Sequence, residues 1–83
     1  MANMVSGYAM IEDGRILVDT VSMTRRAAIV NWLCVHRNIM IYNSYTDREI
    51  ENQFTFQCRG HNPTTGKCID PRVVVVMITE TET

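Results

Sequence analysis

The segment Gly7–Thr20, GYAMIEDGRILVDT, decides the fold. Asp13-Gly14 sits between two apolar runs and supplies the positive φ angles that a tight two-residue turn demands. The segment therefore reads as a β-hairpin. Its apolar positions, Tyr8, Met10, Ile11, Ile16, Leu17 and Val18, fall on both faces of the ribbon rather than one. The same double-sidedness returns near the end of the chain in RVVVVMIT, Arg72–Thr79. There Val73, Val75 and Met77 point one way and Val74, Val76 and Ile78 the other, because side chains alternate along a strand. Residues 1–6 and 80–83 read as a loose start and a frayed polar tail.

Between hairpin and last strand lie two helical patterns. In VSMTRRAAIVNWLCVHRN, Ser22 is an N-cap candidate with Thr24 as the alternative. Ala28, Ile29, Trp32, Leu33 and His36 then follow helical spacing. Arg25, Arg26 and Asn31 are expected to face water. This helix is predicted over residues 23–36, fading near Arg37-Asn38, where cationic side chains suit a C-terminus. IMIYNSY follows as an apolar connector packed over the edge of the core. Thr46-x-x-Glu49 matches a capping box, and Ile50, Phe54 and Cys58 recur every four residues. The second helix is predicted over 47–58, with Gly60 placed to end it in a left-handed conformation. Asn-Pro, Thr-Thr-Gly and Asp-Pro then mark His61–Pro71 as a loop. Trp32 is the expected core anchor, and its N–H needs an acceptor if buried.

The order β-β-α-α-β implies a single two-layer α+β domain, a three-stranded sheet with two helices on one face. Two helices cover only one face of a sheet. The other would be a contiguous apolar patch, which usually marks an interface, unless the sheet curls around the connector and hides it. The set Val73, Val75, Met77, Tyr8 and Met10 is taken as the open face, available to a partner or to a second copy in a homodimer.

Composition narrows the function classes. The 83 residues are 46% hydrophobic and 20% charged, which argues against disorder. A chain this short buries only about 60% of its unfolded surface. The formal charge of −1 lacks the basic excess of most nucleic-acid binders. No apolar run approaches the roughly 20 residues of a membrane helix. The start lacks the basic and long apolar regions of a signal peptide. Three cysteines in such a chain fit reduced thiols and a cytoplasmic setting. The six methionines read as core filler.

The chemistry-bearing residues gather in QCRGHNPTTGKC, Gln57–Cys68. Cys58, His61 and Cys68 make three zinc-type ligands, and a structural site needs four. The fourth would be Cys34 or His36, at the end of the first helix. The Cys-x2-His-x6-Cys spacing fits no common finger. Zinc and a Cys58–Cys68 disulfide therefore rank below a plainer reading, in which Cys58 is a small core residue and His61 and Cys68 lie in a surface loop. No orienting acid or oxyanion hole accompanies a Cys/His pair, so no catalytic residue, enzymatic activity or cofactor is expected. Arg25 and Arg26 oppose the helix dipole in the first turns. They are expected to have a partner: an acidic protein surface, a phosphate, or a nearby Asp or Glu.

The run GRILVDTVSMTRRAAIVNWL, Gly14–Leu33, resembles a group of small proteins encoded by bacteriophages and prophages of proteobacteria. These carry a DGR-(I/L)-L hairpin, then T-V-S-x-T-R-R-A-A-I-x-x-(W/F)-L, and an Arg-x-Val-x-Val strand, here Arg72–Val76. The likeness is strong over Gly14–Leu33 and weak elsewhere, and His61–Pro71 looks like an inserted loop. The resemblance hands over no activity. It implies a phage-type accessory protein made inside an infected bacterium, of the size and kind that binds and blocks a host complex. A CRISPR–Cas effector is the prominent case.

The leading expectation is therefore steric inhibition of a host defence complex through the open sheet face, Arg25 and Arg26. Alternatives are a small nucleic-acid-binding domain using Arg25, Arg26, Arg59, Lys67 and Arg72, and a virion or assembly protein.

Overall fold

The computed structural model describes residues 4–60, 66 and 68–79. The elements are β1 (Met4–Glu12), β2 (Arg15–Ser22), α1 (Arg25–Asn31), a π-helical turn (Trp32–His36), α2 (Asp47–Gln57) and β3 (Arg72–Thr79). The sheet order is β2-β1-β3, with antiparallel pairing on both sides of β1. This is the expected α+β arrangement. β1 begins at Met4, so residues 4–6 belong to the sheet and not to a loose start.

Asp13 and Gly14 adopt φ of 54° and 78°, the left-handed pair that the two-residue hairpin requires. The hairpin then departs from simple alternation. Met10 pairs with Leu17, but Tyr8 pairs with Ser22, so residues 18–21 bulge opposite Ala9 alone. Thr20 makes this possible. Its Oγ1 accepts from Met10 N at 2.9 Å and donates to Leu17 O at 2.6 Å, standing in for the missing strand. The residue is wholly buried.

Thr24, not Ser22, caps α1, its hydroxyl accepting from Ala27 N at 3.1 Å. Ser22 instead accepts from Asn31 Nδ2 at 3.0 Å, so Asn31 is tied to β2 where it was expected to face water. At Trp32 the helix widens into the π-turn. Arg37 N bonds Trp32 O and Ile39 N bonds Leu33 O. Asn38, at φ 56°, ends it in the left-handed conformation that Asn tolerates. The Thr46–Glu49 capping box is present in both directions. Gly60 has no positive φ, contrary to expectation. Its lack of a side chain serves Arg37 instead, since an added Cβ would lie 2.6 Å from Arg37 Nη2. Arg37 reaches across to donate to Gln57 Oε1 at 3.2 Å and stacks over the Trp32 ring.

The buried core is Met10, Ile29, Trp32, Leu33, Ile50 and Ile69. Each such side chain contributes about 1.5–3 kcal/mol by leaving water. Trp32 anchors it, with Phe54 tilted against its ring at a centroid distance of 5.7 Å. The Trp32 Nε1–H finds no acceptor among the described residues, contrary to expectation. Ile39, Ile41 and Tyr45 of the connector pack against the core as expected. Ile69, within the segment that the turn signals mark as a loop, is a core residue. Its carbonyl accepts from Asp13 N at 2.8 Å and its N–H donates to Gly60 O.

Candidate interaction surface

The strand register settles which apolar set faces the helices. Met10 pairs with Leu17 on one side and with Val73 on the other, and directly paired residues share a face. Met10 is fully buried against α1 and the π-turn, and Leu17 and Val73 pack on the same cluster. The covered face is thus the one carrying Met10, Val73, Val75 and Met77. The expectation that this set forms the open face is corrected: Met10 and Val73 are core. Tyr8 is half-buried. Val75 and Met77, farther along the same face, are 66% and 59% exposed.

The opposite face carries Val5, Gly7, Ala9 and Ile11 of β1, Ile16 of β2, and Val74, Val76 and Ile78 of β3. No described helix packs on it. Gly7 and Ala9 form its floor and are themselves buried, Ala9 completely. The Ile78 side chain lies over Gly7, its Cδ1 only 2.5 Å from where a Cβ would sit. Valine and isoleucine rise on both sides, with Val5 44% and Ile16 54% exposed and the others half-buried. Val5 and Ile16 are thus the exposed apolar side chains of this face, and the central strand carries no charged side chain between Val5 and Ile11. The outer edge of β3 adds eight residues with no pairing strand among the described residues. It carries one charge, at Arg72, and no proline. Natural sheets usually blunt such an edge.

The remaining candidates fall elsewhere. Arg25 pairs with Glu51, and Arg26 pairs with Asp47 while donating to Tyr45 O at 3.1 Å. Of the partners open to these arginines, a nearby Asp or Glu is the one found. They join α1 to α2. Arg72 lies 3.6 Å from Asp70, Arg59 is exposed, and Lys67 lies outside the described residues. His36 holds both carboxylate oxygens of Asp19 through Nε2, at 2.8 and 3.0 Å. This pair ties the π-turn to the bulge in β2. It borders a groove of about 610 Å³ that Glu12, Asp13, Arg15 and Arg37 also line.

Cys34 is exposed on the π-turn, and His61 lies outside the described residues. Among the described residues no three His, Cys, Asp or Glu side chains converge as a metal site needs. Cys58 and Cys68 do approach each other, Cys68 Sγ lying 3.9 Å from Cys58 O. Burial first, then the neighbouring Cys68 and Asp70, push the Cys58 thiol above its ordinary pKa. No described helix is long and apolar enough to cross a membrane.

Compared with family models, curated proteins and solved structures, the chain finds no match in any of the three.

The sequence shows the apolar character of both sheet faces, but of the set taken as the open face Met10 and Val73 lie in the core, whereas Val75 and Met77 are exposed. Sequence reasoning missed the Asp19–His36 pair, for which the only signal was a polar position closing the helical stripe. It also missed Thr20, whose role depends on the bulge.

Proposed function

We propose that the protein acts by binding another protein through the open sheet face, as a phage-type accessory protein that occludes a host complex. A CRISPR–Cas effector is the target to which the sequence resemblance points. The observation that carries this reading is the apolar face of Val5, Ile11, Ile16, Val74, Val76 and Ile78 on a sheet whose other face already holds the core. In a chain of this size, leaving Val5 and Ile16 exposed beside half-buried apolar neighbours costs solubility and core volume alike. A protein partner offsets both. The engagement of Arg25, Arg26 and Arg72 by acidic neighbours disfavours the nucleic-acid alternative, because charges already paired release fewer counterions on phosphate.

The test is capture from bacterial lysate with wild type and two matched variants. Ile16→Lys alters the open face, and Val75→Lys alters an exposed position on the other. A host complex held by wild type and Val75→Lys, and lost with Ile16→Lys at unchanged circular dichroism, is the expected result. Equal capture by all three removes the open face from the account.

The bare β3 edge favours a second reading, a homodimer in which two β3 strands pair antiparallel about a twofold axis. Sedimentation at rising concentration decides it. A monomer at every concentration rules it out.

A further inference from the structure

Ten positions separate Cys58 from Cys68, and the chain brings them back together. Cys58 is the C-cap of α2, and Cys68 lies in the segment that leads into β3. Ile69 N donates to Gly60 O at 3.3 Å, which fixes the two segments side by side. Cys68 Sγ lies 3.9 Å from Cys58 O, and Cys58 Sγ lies 4.0 Å from Pro71 O. Each sulfur is therefore held against the backbone of the other's segment. A disulfide needs Cα atoms about 4.4–6.8 Å apart and side chains that converge. The Ile69–Gly60 bond lies one residue from Cys68 and two from Cys58, and the two sulfur–carbonyl contacts place both thiols in one neighbourhood.

We propose that Cys58 and Cys68 form a dithiol site that a small-molecule disulfide of the glutathione type converts reversibly into an internal disulfide. Their unequal surroundings assign the order of events. Cys68 is exposed and is reached first, whereas Cys58 is partly covered. The Cys68 thiolate attacks one sulfur of the small disulfide. That S–S bond breaks and one small thiolate leaves, carrying the electron pair. The Cys58 thiolate then attacks the Cys68 sulfur, the mixed S–S bond breaks, and the second small thiolate leaves. The protein gives up two protons and two electrons, and the oxidant becomes two thiols.

The first step also prepares the second. The Cys68 charge is one of the causes that hold the Cys58 thiol protonated. Once Cys68 is capped that charge is gone, and Cys58 ionises more readily. Closing the bridge would fasten the end of α2 to the strand entry that carries Ile69 into the core.

The experiment uses the full chain with Cys34→Ser, which removes the exposed third thiol without touching the core. Folded protein is treated with excess glutathione disulfide and followed by intact mass and peptide mapping. The expected product has lost two hydrogen atoms, links the Cys58 and Cys68 peptides, and reverts with dithiothreitol. Two stable glutathione adducts, linked dimers or unchanged protein would each overturn the proposal. In the Cys58→Ser form the Cys68 adduct should accumulate and persist. In the Cys68→Ser form, Cys58 should react at least about tenfold more slowly than Cys68 does, because burial still covers it and raises its pKa. Equal rates would overturn the assigned order.

Discussion

Thr20 shows how much a single buried hydroxyl can decide. It satisfies the Met10 N–H and the Leu17 carbonyl at the point where β2 leaves the ladder. Thr20→Val keeps the shape but strands both backbone groups, and should lower unfolding free energy by about 1–3 kcal/mol in a urea titration. Thr20→Ser, which keeps the hydroxyl, should recover most of that. Among the described residues, Cys58 is the group whose titration the fold shifts. Its pKa is raised in the folded protein, so the unfolded chain loses its proton first as pH rises. The associated stability is whole below the unfolded thiol's pKa and fades as pH climbs through the folded one. Wild type should thus lose stability in the alkaline range, and Cys58→Ala should flatten that loss in urea titrations run at increasing pH. Neither effect was legible in the sequence. A threonine after an aspartate in a strand, or a cysteine at a helix end, takes its meaning from what folds against it.

At the scale of elements, local chemistry was legible where the signal is local. The Asp13-Gly14 turn, the Thr46–Glu49 box and the bounds of β3 all follow from residues adjacent in sequence. Thr46→Ala should lower stability by about 0.5–2 kcal/mol, read as a drop in Tm, because it leaves the Glu49 N–H without its acceptor. The π-turn was not legible, since Trp32–His36 keeps an ordinary helical pattern and widens only as it meets the core. The arginine pairs were half legible: the unfavourable dipole placement called for acidic partners, and α2 supplies them. Single Arg25→Ala and Arg26→Ala changes should each cost no more than about 1 kcal/mol, as exposed ion pairs do. Reversing both to Glu sets like charges beside Glu51 and Asp47. It should loosen α1 from α2, visible as a lower Tm than the double alanine form gives.

For the whole molecule, the decisive fact is that the sheet is apolar on both faces and the helices cover only one. Alternation along Val73–Ile78 divides the side chains into two sets, but equal hydrophobicity cannot say which set turns inward. Cross-strand register can, and it places Met10 and Val73 under the helices. Ile69 escaped the sequence reading for a related reason: breakers on either side mark a loop without telling which of its side chains turns back. The proposed interaction surface rests on this assignment of faces. It is tested most directly by hydroxyl-radical footprinting of the free protein, read residue by residue by mass spectrometry. With these faces, Met10 stays protected while Met4, Met77, Val5 and Ile16 are modified. Met10 labelled as fast as Met77, or Ile16 protected as fully as Met10, would mean that the open face is not the one described.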